Sequence, residues 1–244
     1  MSLYVYCLGE DLPESAFEGL AGVGGARVRA LTFGGLTALV SEAGEEAAVV
    51  SEENLLAHNR VNAAALAVTT PLPCRFGTRA APERLAEYVS NNEAALSAAL
   101  ARVRGRVEMS VKLMGKAEGQ KAEIETEGGG TLRPVAAGVE LGAKGAGTAF
   151  LLKKRREILG EEGARRRAEE AAAWLASGVG ELARETAERL SLTKALLVGA
   201  AHLVERGRVE DYRVRLRALA AERRDLRLLT SGPWPPYSFS DIKQ

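Results

Sequence analysis

RVEMSVKLM, from Arg106 to Met114, alternates apolar Val107, Met109, Val111 and Leu113 with polar Arg106, Glu108, Ser110 and Lys112. One face seeks a core and the other seeks water, the pattern of an antiparallel strand solvated on one side. Gly105 closes a helical pattern in front of it and a glycine-rich stretch follows, so the strand opens a second structural unit. The chain divides on this reading into an N-terminal α+β domain over 1–104 and a C-terminal α+β domain over 105–244.

Upstream, Leu85, Val89, Leu96, Leu100 and Val103 trace one long amphipathic helix with Pro82 near its first turn. Before it, TTPLPCRFGT (Thr69–Thr78) is extended, and Pro71 and Pro73 confine it to a sheet edge or strand entry. Cys74 beside Arg75 admits a cation-stabilised thiolate, but no base or resolving cysteine accompanies it, so an inert core residue is the preferred reading. Ser51 caps a helix with Leu55, His58, Asn62, Ala65 and Leu66 on one stripe. His58 on that face is an acid, base or ligand, or, as preferred, a buried ring bonded to backbone or to Asn62. Gly34-Gly35 joins Arg27–Phe33 to Leu36–Ser41 as a hairpin. Leu3, Val5 and Cys7 alternate with Tyr4, Tyr6 and Leu8 as a first strand buried on one face, and Asp11 caps a short helix that Gly22 ends.

Downstream, residues 115–147 dissolve into glycine, alanine and charge and read as a mobile insertion. Its GAKGAG run lacks the preceding strand and the lysine-hydroxyl ending of a phosphate loop. A charged helix starts at Thr148; Glu161 with Arg165 and Glu162 with Arg166 have favourable i,i+4 order, so its basic runs form a solvated face rather than a polyanion site. Its stripe runs through Ala168, Ala172, Leu175, Val179 and Leu182 to Leu190. ALLVGAAHLV (195–204) is a strand covered on both faces, with Gly199 as a bulge or hairpin point. Val209, Tyr212, Leu216, Leu219 and Ala220 form a helix, and Leu226–Thr230 a last short strand. This order is one strand short of a ferredoxin-like unit, the missing strand coming from Gly199 or from the insertion. SGPWPPYSF (Ser231–Phe239) is either an exposed recognition strip or, preferably, a cover laid over the domain.

Composition excludes several classes. Among 244 residues, 33 Lys and Arg oppose 32 acids, which leaves no general attraction for nucleic acid or anionic lipid. Two cysteines without a C-x-x-C pair argue against a disulfide framework or zinc site and fit a reducing cytosol. No apolar run reaches the ~18 residues of a membrane span. No catalytic, cofactor-binding or metal-binding constellation is evident.

YVYCLG (4–9), TALVSE (37–42), PLPCRFGT (71–78), GRVEMSVKL (105–113), GTAFLLKKR (147–155) and SGPWPPYSF (231–239), in this order, resemble the gas vesicle accessory proteins of the GvpL/GvpF family. Only about Met114 to Ala146 falls outside the resemblance, and Cys74 stands where a small aliphatic residue is commoner. The resemblance implies two α+β domains, the second a modified ferredoxin-like fold, with no enzyme activity and no cofactor. It implies binding to the hydrophobic gas vesicle shell subunit and contact with other accessory proteins, in support of vesicle assembly, at the vesicle's gas-facing surface or in the cytoplasm. The candidates for shell contact are Arg75-Phe76-Gly77, as an extended edge for strand addition, and Trp234-Pro235-Pro236-Tyr237. Competing readings are a regulatory or RNA-binding module, which lacks a stacking aromatic pair on a strand, and a hydrolase or transferase built on Cys74 with His58.

Overall fold

The structure is a computed structural model that describes residues 2–44, 49–115, 146–190 and 196–241. Two antiparallel sheets carry the chain. The first contains β1 (Leu3–Gly9), β2 (Arg29–Phe33), β3 (Leu36–Glu42) and two two-residue strands, β4 (Leu72–Pro73) and β5 (Arg79–Ala80), both paired along the same edge of β1. Gly34 turns the β2–β3 hairpin at φ 59°. β1 is buried along its whole length, not on one face. α1 (Glu52–Val68) covers its Tyr4, Tyr6 and Cys7 side, while α2 (Pro82–Asn91) and α3 (Glu93–Val103) cover Leu3, Val5 and Leu8. A shift of register between Val5 and Cys7 puts Tyr6 and Cys7 on the same side.

The helix expected across residues 85–103 breaks at Asn92, whose side-chain amide donates to the Tyr88 carbonyl at 2.7 Å. Gly105, at φ 71°, ends α3 as expected. Asp11 is not a helix cap; it has a left-handed backbone, φ 52°, and the short 3₁₀ turn begins at Glu14. Ser51 does cap α1, its hydroxyl accepting from the Asn54 amide at 3.2 Å. Ser51→Ala is expected to cost about 1 kcal/mol in a denaturant titration. The buried face of α1 carries Asn54, Ala57, His58, Val61 and Asn62, whereas Leu55 faces solvent. The sequence stripe was therefore displaced by one residue at its start.

The second sheet contains β6 (Arg106–Gly115), β7 (Glu185–Leu190), β8 (Leu196–Glu205) and β9 (Leu226–Trp234) in the order β7-β8-β6-β9, with α4 (Ala146–Val179) between β6 and β7 and α5 (Val209–Glu222) between β8 and β9. The fourth strand of this sheet is β7 rather than a split at Gly199, and the helical stripe ends before Leu190. Gly199 lies in regular register opposite Lys112 and Arg189; the irregularity falls next to it, at Leu113/Met114. The expected insertion lies, over 116–145, outside the described residues. On α4, Arg165 and Arg166 pair with Glu169 and Glu170 one turn onward; the side chain of Glu161 lies outside the described residues.

Val107, Met109, Val111 and Leu113 of β6 pack with Val198, Ala200 and Val204 of β8 under α4 and α5. The opposite face of the sheet is not simply solvated. Ala201 and Leu203 join Val5, Leu96, Leu100 and Phe239 in one cluster, so side chains of both sheets share a core. Glu108 is buried on that face and Lys112 is exposed.

Candidate partner-binding surface

Residues 75–77 are a tight turn, not an extended edge. The Thr78 amide donates to the Arg75 carbonyl at 3.1 Å and Gly77 adopts φ 85°, a conformation that favours glycine. Both flanking strands pair with β1 on one side.

The turn and the C-terminal segment, far apart in sequence, meet through one buried ring. The Gly77 amide donates to the Tyr4 hydroxyl at 2.9 Å; that hydroxyl is hydrogen-bonded to His58 Nδ1 at 3.0 Å, and His58 Nε2 to the Tyr237 hydroxyl at 3.1 Å. A neutral imidazole offers one donor and one acceptor, and phenolic hydroxyls serve as either, so both ring nitrogens find partners. Phe76 stands edge-on to Tyr4 and to His58, with centroids 6.1 and 5.7 Å apart. Arg75 reaches Asp241 at 3.9 Å across the surface.

Beyond Tyr237 the segment is fastened to the second sheet. Ser238 donates its amide to Glu108 Oε2 at 2.7 Å and its hydroxyl to Glu108 Oε1 at 3.1 Å. Arg102 donates to the Phe239 carbonyl, and the Phe239 ring is buried in the shared core. The cover reading therefore describes most of SGPWPPYSF: Pro235 and Pro236 are buried and Tyr237 is half-buried. Trp234 differs. It ends β9 with 44% of its surface exposed, and its indole N–H donates to Ser231 Oγ at 3.2 Å.

β9, expected to stop at Thr230, runs on to Trp234 and forms an edge of its sheet, so its outer side pairs with no strand among the described residues. Leu229 on this strand is 39% exposed. Arg213 of α5 donates to the Gly232 carbonyl of this strand at 3.0 Å. Pro233 and Arg227 also lie on this edge, residue types that discourage indiscriminate strand pairing. The other edge, β7, places Glu185, Glu188 and Arg189 among its residues. β9 is the less guarded of the two.

Burial lowers His58 from its ordinary range to about 4, the Cys74 backbone pulling weakly the other way. Burial pushes the Cys74 thiol up to about 12 and raises Tyr237. Near neutral pH the cluster is uncharged, which suits a structural clasp rather than an activated nucleophile. No group of three or more His, Cys, Asp or Glu side chains able to hold a metal occurs among the described residues, and no helix among them is long and apolar enough to cross a membrane. Sequence reasoning placed His58 on a buried face but missed Tyr4 and Tyr237 as its partners, and missed Glu108 and Leu229. An acidic residue in a strand that turned out to be central was the available signal for Glu108.

The model of the family described as gas vesicle synthesis protein GvpL/GvpF matches residues 2–241. Among solved structures, the chain is similar to the gas vesicle protein GvpF from Anabaena sp. PCC7120, at 22% identity and TM-score 0.73, over 100% of this chain and 97% of that one. It is similar also to GvpF from Microcystis aeruginosa, at 20% identity and TM-score 0.70, over 99% of each. These likenesses establish the mixed α+β fold. No curated protein matches the chain.

Proposed function

Because the chain belongs to the GvpL/GvpF family of gas vesicle synthesis proteins, we propose that it binds the small hydrophobic shell subunit of the gas vesicle and supports assembly of the shell, without catalysis. A subunit that assembles through apolar surface and strand edges aggregates when uncovered. An accessory protein with an apolar, partly open strand edge can shield it until it is added. The observation that carries this reading is β9, an edge strand with Leu229 and Trp234 exposed on an otherwise fastened segment. Val49, Val50, Leu55 and Leu56 around the start of α1 are as exposed or more so, but none of them lies on a strand with an open edge. Arg75, Phe76 and Gly77 act in this proposal from behind, by holding Tyr4 and through it the clasp; Pro235, Pro236 and Tyr237 set the angle at which Trp234 leaves the sheet.

The strand-helix-strand-strand-helix-strand order of β6 to β9 supports reading the second half as a modified ferredoxin-like unit, with Gly105 as the boundary. Other gas vesicle accessory proteins are further partners on this proposal, and the site of action is the vesicle or the cytoplasm around it. The direct test is co-purification: tagged full-length chain should retain the shell subunit when the two are co-expressed, and cells lacking the chain should fail to float. A chain that recovers no shell subunit, together with normal flotation without it, overturns the proposal.

A further inference from the structure

Between the interrupted edge of β1 and the helices α2 and α3 lies a cavity of about 350 Å³, open on one side, that the shell-binding proposal does not use. Its wall is carbon: Val5 and Leu8 from β1, Leu72 and Cys74 from the β4 segment, Leu85 and Leu96 from the helices. It lies where β4 and β5, two residues each, part around the turn at 75–77 and leave that edge of β1 without a continuous neighbour. Among its lining residues the polar ones are Thr78, Arg84, Tyr88 and Ser240. The Thr78 hydroxyl donates to the Arg75 carbonyl at 2.7 Å and that of Ser240 to the Tyr237 carbonyl at 3.0 Å. Arg84 is the one charged residue of the lining, and its guanidinium is exposed and held only by Glu87, at 3.2 Å on the surface.

An apolar chamber of a few hundred Å³ with a small number of polar groups is the ordinary form of a small-molecule site. Here most of the lining is apolar and the single charge is an exposed cation. We propose that this chamber binds a free medium-chain fatty carboxylate, its tail against Leu72, Leu85 and Leu96 and its head at Arg84. At about 30 Å³ per water-sized group, the volume holds a tail of roughly ten carbons. The carboxylate competes with Glu87 for Arg84, and a guanidinium accepts a planar carboxylate through two parallel N–H donors.

The test is titration calorimetry of the full chain with decanoate, decanol and decyltrimethylammonium, each below its micelle concentration, with anionic phospholipid vesicles as a separate arm. Decanoate is expected to bind saturably at one site and about threefold more tightly than decanol. The cationic amphiphile and the vesicles should give no saturable signal. Arg84→Gln, on the exposed surface and compatible with folding, should remove the preference for decanoate while leaving decanol unchanged. Ala80→Trp, which fills the chamber, should abolish both, and unaltered circular dichroism would show that it folds. The inference is overturned by absence of decanoate binding, by a preference that survives Arg84→Gln, or by binding to vesicles alone.

Discussion

Replacing Phe239 with alanine is expected to lower the free energy of unfolding by about 3–5 kcal/mol, the range for removing a buried aromatic ring. The ring is buried among Val5, Leu96, Leu100 and Leu203, which belong to both sheets and to the helix between them. Truncation leaves a cavity in the one cluster those elements share, and it loosens the segment that Arg102, Glu108 and His58 hold by hydrogen bonds. Urea titration is the measurement. Trp234→Ala, five residues earlier on an exposed position, should shift the same curve by no more than about 0.5 kcal/mol. Equal effects of the two substitutions would show that the segment does not cover the core as described.

The second large effect is acid destabilisation. His58 and His202 are both buried, and burial lowers each to about 4 from an ordinary value of 6.5. Between those values the unfolded chain binds more protons than the folded one, so stability is complete above about pH 6.5, falls as the pH drops through the window and levels off below about 4. Each ring accounts for up to about 3 kcal/mol of the loss. The groups around them do not compensate: His58 faces Tyr4, Tyr6, Tyr237 and the Cys74 backbone, and His202 lies against Tyr212, with no carboxylate in either set. Glu108 works in the opposite sense. Its carboxyl is raised by burial, partly offset by Ser238, so it is better tolerated protonated and favours the folded state as the pH falls. Unfolding followed at about pH 7.5 and 4.5 should therefore show a large loss in the natural chain and about half of it in His58→Gln. A loss unaffected by that substitution and by His202→Gln would assign the acid response elsewhere.

Much of this architecture was legible in the sequence because the relevant residues report their surroundings locally. The alternation of β6, the Gly34-Gly35 hairpin, the Ser51 cap and the apolar run of β8 each need only a few neighbours to be read. β7 escaped because ETAERL carries little apolar pattern; it is a strand through its ladder with β8, at an edge where none of its six positions is buried. β1 seemed one-sided because tyrosine is amphipathic, and only the arrangement of α1 and α3 shows that both its faces are covered. The two candidate segments were found separately. That a histidine in α1 and a tyrosine in β1 join them is a matter of long-range contact, which no local pattern encodes.

The central claim is that the exposed part of β9 receives the shell subunit while the remainder of the C-terminal segment serves the fold. It is tested most directly by measuring shell-subunit affinity for the natural chain and for the Leu229→Ser, Trp234→Ala double variant, with the urea curve recorded on the same samples. The account predicts an affinity at least about tenfold weaker on an unchanged urea midpoint. Affinity within about twofold of the natural chain, with the fold intact, would contradict it.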